Sequence, residues 1–173
     1  MPRISVAEFD IYSRRGQEIV LVLYALRDLG AIHTKQQVLR FIRGGHFYDV
    51  QPEDKCSYDG KREWKADTLL CWGRKDAVMD EWMFHHDEKD SWELTREGHR
   101  ALDEIIARFR SRRWNIHECF LWRPEFKRIV DPSYVPSALD KTRPHGRREQ
   151  SPREQASRLL AKLQRQHGIP PKA

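Results

Sequence analysis

The segment 64–102 restricts the possible folds more than any other part of this chain. Apolar residues at helical spacing lead to Trp82, and two short runs that each contain apolar and aromatic residues, 83–86 (Met-Phe-His-His) and 91–94 (Ser-Trp-Glu-Leu), then lie on either side of a polar turn. Such runs around a turn predict a β-hairpin. A further helix is predicted to begin after Thr95, because threonine is a favoured N-cap residue. The sequence therefore predicts a helix, a hairpin and a second helix in succession.

Two more helices are predicted before this segment. The first, at about 14–29, carries apolar residues at helical spacing and stops at Gly30, since glycine accepts the left-handed conformation just past a helix C-terminus. The second, at about 35–43, follows Thr34, and Gln37 completes a capping box with it. A connection rich in acidic residues is predicted to lead from this helix to the third.

This order of elements predicts a winged helix-turn-helix, a mainly α fold with a small β-hairpin wing (α+β) and a C-terminal helical extension. We expect four parts: a winged-helix domain over 1–113, a packed helical extension over 114–135, a linker over 136–150 and a basic amphipathic helix over 151–168. Gly73 lies inside the third helix, where glycine costs about 1 kcal/mol relative to alanine. A close approach of another backbone would explain that glycine.

The composition favours a folded protein without a membrane span. Hydrophobic residues make up 39% of the 173 residues, with six Trp and seven Phe, which is enough for a core. No apolar run approaches the roughly 18 residues that a membrane span needs, and the start of the chain lacks the apolar stretch of a signal peptide. Three widely spaced cysteines fit neither a disulfide framework nor a zinc site: Cys56, Cys71 and Cys119. We expect a cytoplasmic protein with reduced cysteines.

The net charge of +6 is distributed unevenly along the chain. Nine of the 32 Lys and Arg residues but only two of the 26 Asp and Glu residues lie in 141–173, so this segment carries +7 and residues 1–140 carry −1. The predicted globular part is thus nearly neutral. A nucleic-acid-binding face would therefore have to arise from local clustering of basic residues and not from overall charge.

Polar residues of the third helix, predicted from about 61 to 80, are the candidate DNA-reading surface. Arginine can form paired hydrogen bonds with guanine in the major groove, and lysine neutralises phosphate. The candidate residues are Lys61, Arg62, Lys65, Thr68, Arg74 and Lys75 on this helix, with Lys35, Gln36 and Arg40 on the second helix as phosphate contacts. Four acidic residues are interleaved with them, which equally fits an ordinary solvated face: Glu63, Asp67, Asp76 and Asp80.

Two short patterns that could indicate metal or catalytic chemistry have simpler interpretations. His85 and His86 are adjacent on a predicted strand and would point to opposite faces, so they are not expected to share a metal ion. Glu125 and Lys127 match half of a metal-dependent nuclease site, but no strand that could supply the partner aspartate is predicted before them. We therefore predict no catalytic residues, no metal and no cofactor.

Residues 14–105 resemble the N-terminal winged-helix domain of Mrr-type restriction endonucleases. The resemblance rests on 23–30 (Leu-Tyr-Ala-Leu-Arg-Asp-Leu-Gly), on Trp-Gly-Arg at 72–74 and on 92–98 (Trp-Glu-Leu-Thr-Arg-Glu-Gly). It implies a DNA-recognition domain, with cleavage assigned to a separate nuclease domain. This chain departs from the family in its acidic wing turn 87–90, and too few residues follow the predicted domain for such a nuclease.

These observations predict a non-enzymatic protein that binds duplex DNA, either as a transcription regulator or as the detached recognition module of a restriction or defence system. The basic helix 151–168 would add salt-sensitive affinity for phosphates, or would mediate a homodimer or the binding of a protein partner. A solvated tail is the alternative for that segment. The alternative for the whole protein is a winged-helix protein-interaction module without specific DNA binding.

Overall fold

The computed structural model describes residues 5–56, 65–86 and 90–137. Within these ranges lie five α-helices and two short strands: α1 (Arg14–Leu29), β1 (His33–Thr34), α2 (Lys35–Gly44), α3 (Lys65–Met79), β2 (Ser91–Trp92), α4 (Arg96–Arg110) and α5 (Pro124–Val130). The chain divides into two compact units, Met1–Thr142 and Arg143–Ala173. The predicted helix 151–168 and nearly all of the predicted linker 136–150 lie outside the described residues.

The predicted class, mainly helical with a small antiparallel sheet, is confirmed. β1 pairs antiparallel with β2, with His33 opposite Trp92, and a separate bridge joins Met83 to Leu94. The two arms of the predicted hairpin thus meet at one bridge, and the main partner of the second arm is β1, which the sequence did not predict as a strand. None of the described helices has the length and hydropathy of a membrane span.

Helix α1 is the centre of the fold. Every residue from Gly16 to Leu26 is buried, so neighbouring elements cover the helix on all sides. The Ser13 hydroxyl accepts a hydrogen bond from the Gly16 amide at 2.9 Å and caps the N-terminus, and Gly30 ends the helix at φ 66°. The predicted boundaries of this helix are confirmed.

Helix α3 lies directly against α1. A Cβ atom added at Gly73 would be only 3.3 Å from the backbone nitrogen of Ile19, so the two helix backbones approach closely at this point. The close approach expected from the glycine is confirmed. Ala66, Leu70 and Ala77 extend the buried side of α3 around this contact.

The helices that follow the two short strands, α2 and α4, are also capped as predicted. Thr34 and Gln37 form the full capping box at the start of α2. Thr95 accepts a hydrogen bond from the Gly98 amide at 2.9 Å at the start of α4. A Cβ atom at Gly98 would lie 2.0 Å from the carbonyl oxygen of Trp82. The segment that follows α3 can therefore pack here only against a glycine.

The residues after α4 pack onto α1. Gln17 is fully buried, and its side-chain oxygen accepts a hydrogen bond from the Leu121 amide at 2.8 Å. The indole nitrogen of Trp122 donates to the Gln17 carbonyl oxygen at 3.1 Å. Phe126 on α5 is completely buried and contacts the Trp122 ring edge-on at 5.0 Å. This segment therefore belongs to the same core.

Candidate nucleic-acid interface

One face of α3 is open to solvent. The side opposite the buried stripe carries residues three or four positions apart, which a helix brings onto one line: Thr68, Trp72, Lys75 and Met79. Trp72 is 48% exposed and Met79 is 57% exposed, large values for such apolar side chains. The exposed face of α3 therefore combines polar and apolar groups.

Lys75 and Trp72 form a unit on this face. The Lys75 Nζ atom lies 4.9 Å from the centroid of the Trp72 ring, within the range of a cation–π interaction. At an exposed site such a contact contributes about 0.5–1 kcal/mol. The interaction places a positive charge beside a flat aromatic surface at the middle of the helix.

Arg74 lies away from this exposed face. Its guanidinium group lies over the ring of Trp92 on β2, with Cζ 5.8 Å from the ring centroid. The Nε and Nη2 atoms are buried and have no hydrogen-bond partner in the described part of the chain. Burial lowers the pKa of Arg74. Arg74 follows Trp72 by two positions, or about 200° around the helix, which accounts for the opposite orientation.

The remaining described residues of the predicted set lie in two places, the start of α3 and helix α2. Lys65, at the start of α3, forms an ion pair with the buried carboxylate of Asp54 at 3.3 Å. Gln36 and Arg40 are exposed on α2, and the Lys35 amide donates to the Asp90 carbonyl oxygen at 3.1 Å, which joins α2 to the start of β2. Two residues of the predicted set, together with the wing turn, lie outside the described residues: Lys61, Arg62 and 87–89.

A buried polar network fixes the connection between α2 and α3, and sequence reasoning did not predict it. The Arg14 guanidinium contacts the carboxylates of Glu18, at 3.0 Å, and of Asp54. The Tyr48 hydroxyl donates to Glu18 Oε1 at 3.2 Å and accepts from Arg14 Nη2 at 3.2 Å. Glu18 is 1% exposed and Asp54 is fully buried. These contacts bind the connection to the first turns of α1.

Burial changes the pKa of two groups in this network. It raises the pKa of Glu18, while the hydrogen bond and charge of Arg14 act in the opposite direction. It also raises the pKa of the Tyr48 hydroxyl, which stays protonated and available as a donor. A neutral phenol beside two carboxylates and one guanidinium is a stable arrangement for holding a loop. The network therefore supports the position of α3 without forming part of its exposed face.

The residues considered for metal or nuclease chemistry lie apart in the fold. His86 Nε2 is 3.0 Å from Glu93 Oε2, and the described residues contain no group of three side chains that could hold a metal ion. Glu125 and Lys127 lie on α5, a helix, where Lys127 is buried with its Nζ atom 5.4 Å from the centroid of the Tyr134 ring. Lys127 is therefore part of the core.

Comparison of the chain with family models, with curated proteins and with solved structures found no match.

Proposed function

We propose that this protein binds duplex DNA through the exposed face of α3, as a regulator or as a recognition module of a restriction or defence system. The observation that carries the proposal is the contrast between the two sides of α3. One side is packed tightly on α1 at Gly73, and the other is open beside the hairpin arms. A rigidly held helix with a free face is the element that enters the major groove in winged helix-turn-helix proteins.

Lys75 and Trp72 are the central residues of the proposed interface. Lys75 would neutralise a backbone phosphate, and the exposed ring of Trp72 offers apolar contact to base edges such as the thymine methyl group. Thr68 lies on the same line, and Gln36 and Arg40 on α2 would bind phosphates. Lys35, Lys61 and Arg62 complete the proposed set, whereas Lys65 is ion-paired with Asp54 and supports the start of α3.

Arg74 receives a different role in this proposal. Its guanidinium packs on Trp92 and therefore positions the β2 arm relative to α3. Its replacement would disturb the interface by displacing the β2 arm and not by removing a base contact.

The protein is proposed to be non-enzymatic and cytoplasmic. Its described cysteines are free thiols.

Fluorescence anisotropy with a labelled duplex across a salt series tests this function. The full chain is compared with Lys75→Ala and with the control Arg128→Ala, which removes an exposed cation from α5. We expect Lys75→Ala to weaken binding on all sequences and to reduce the slope of log affinity against log salt by about 1, since one phosphate contact is lost. Arg128→Ala should leave both unchanged. Equal effects of the two substitutions would contradict the proposal.

A chain that ends at Thr142 separates the two units in the same assay. Retained, Lys75-dependent binding would assign recognition to the described unit. Binding only by the full chain, without dependence on Lys75, would instead assign it to residues 143–173 and would reject α3 as the reader.

A protein-interaction module is the second candidate, and the exposed apolar side chains favour it. Trp72 and Met79 on α3 and Phe84 in the hairpin arm are each between 45% and 57% exposed. A contiguous apolar patch on a protein surface often marks a protein-binding site. A photoreactive amino acid at position 72 distinguishes the two functions in cells, because its adduct contains either nucleic acid or protein.

A further inference from the structure

The side chains that α3 presents to solvent limit which bases this helix can distinguish. In the major groove, guanine is recognised by Arg or Lys, adenine by Asn or Gln, and cytosine by Asp or Glu. The C5-methyl group of thymine is recognised by apolar side chains. The residue types on the open side of α3 can therefore be compared with each of these patterns in turn.

The purines have few possible hydrogen-bond partners on α3. The sequence of Lys65–Met79 contains no Asn or Gln, the residues that pair with adenine. Its one arginine, Arg74, lies over the Trp92 ring and away from the exposed line. Lys65 forms an ion pair with the Asp54 carboxylate at 3.3 Å. Most of the helix therefore offers no hydrogen-bonded recognition of a purine.

The acidic residues of α3 are also engaged within the fold. Arg15 Nε lies 3.1 Å from the Asp76 carboxylate, and Arg43 Nη1 lies 3.4 Å from that of Asp67. Asp67 is buried as well. These carboxylates are poor acceptors for the cytosine amino group, because binding of cytosine would break an ion pair. Their pairing also reduces the repulsion that they would exert on DNA phosphates.

Apolar groups make up most of the surface that α3 leaves open. Trp72 and Met79 are 48% and 57% exposed, and the methyl group of Thr68 lies on the same line. The Lys75 Nζ atom lies 4.9 Å from the centroid of the Trp72 ring and restricts its orientation. This line therefore combines an apolar surface with one cation.

We propose that α3 recognises the C5-methyl groups of thymine through Trp72 and Met79, so that the protein prefers duplex DNA rich in A·T pairs. This inference rests on the proposed function and concerns the choice of duplex. Burial of one methyl group adds about 0.8 kcal/mol, or about fourfold in affinity. Lys75 would hold a neighbouring phosphate and fix the position of the helix along the groove.

Uracil tests this inference directly, since it differs from thymine only in lacking the methyl group. Fluorescence anisotropy compares binding of the full chain to one labelled duplex with thymine and to the same duplex with uracil at every thymine position, in about 0.15 M salt. We expect the uracil duplex to bind at least about fourfold more weakly. The salt dependence should be the same for both, because no phosphate contact is lost.

The two proposals fail in distinguishable ways in this experiment. Equal affinity for the thymine and uracil duplexes would overturn the recognition of methyl groups and leave the binding of DNA intact. The absence of binding to either duplex would reject the proposed function and this inference with it.

Three substitutions identify the residues responsible. Trp72→Ala and Met79→Ala replace exposed side chains, and each should lower the ratio of thymine to uracil affinity toward one. Lys75→Ala should weaken binding of both duplexes and keep that ratio. The matched control Phe120→Ala removes an exposed aromatic ring outside α3 and should change neither. A ratio that neither Trp72→Ala nor Met79→Ala alters would reject α3 as the reader of the methyl group.

A duplex with inosine·cytosine in place of every A·T pair separates recognition in the two grooves. Its minor groove matches that of A·T pairs, whereas its major groove carries no thymine methyl group. We expect this duplex to bind no better than the uracil duplex. Affinity equal to that of the thymine duplex would assign recognition to the minor groove and overturn the inference.

Discussion

The two halves of α1 are buried by different kinds of contact. The C-terminal half is covered mainly by apolar contacts, with Val22 and Leu23 fully buried. The N-terminal half buries Gln17 and Glu18, which bond to residues far along the chain. Apolar burial supplies stability without directional preference, whereas a buried polar group is stable only where its partners are in place. The polar half therefore determines where the connecting segments lie.

Removal of one buried charge should have one of the two largest effects on stability. Asp54→Ala leaves Arg14 and Lys65 without their shared carboxylate, and breaking such a buried ion pair costs about 3–5 kcal/mol. We expect a value toward the lower end, because both cations are about one-third exposed. Urea unfolding measures this loss. A cost below that of an ordinary surface substitution would show that the network contributes nothing to stability.

A large-to-small substitution in the apolar half gives the measurement to compare with Asp54→Ala. Leu23 is fully buried, and Leu23→Ala should lower the free energy of unfolding by about 2–5 kcal/mol through lost apolar contacts and the space left behind. This cost should be nearly independent of pH, unlike that of substitutions in the polar half. Unfolding curves at several pH values separate the two cases, and a strongly pH-dependent cost for Leu23→Ala would contradict the distinction.

The contribution of Glu18 to the pH dependence of stability tests the same comparison. Burial raises its pKa in the fold above the ordinary value of 4.5, so between these two values the folded state binds more protons than the unfolded state. Stability must therefore fall as the pH rises through this window. Glu18→Gln removes the titrating group and should abolish that decrease. The test is the difference in free energy of unfolding between the two proteins across the acidic range. A difference that grows in the opposite direction would refute the raised pKa.

The cap of α1 should give the smallest effect. Ser13→Ala removes the hydroxyl that accepts from the Gly16 amide, and loss of such a cap costs about 1 kcal/mol. Ser13→Asp should retain most of the stability, because aspartate is an equally good cap. Thermal unfolding of both variants provides the comparison. Equal destabilisation by alanine and aspartate would indicate that packing of the N-terminal segment, and not capping, accounts for the loss.

Local signals predicted most of the helices. The spacing of apolar residues and the caps at Thr34 and Thr95 act over one or two turns, and the structure confirms them. β1 was missed because two residues are too short for a periodic signal. The inward direction of Arg74 could have been inferred from its separation from Trp72, but only once the buried side of α3 was known. The winged-helix assignment and the DNA-binding role stay predictions.

By itself the sequence determined the helices and their caps, since these depend on residues near one another in the chain. Gly73 indicated a close contact, but the sequence did not identify its partner on α1. Only the tertiary structure decided which polar groups meet. Tyr48 and Asp54 reach Glu18 and Arg14 across 30 and 40 positions, and no local pattern records such distances. The same holds for the exposed Trp72, because burial depends on what packs against a helix and not on the helix alone.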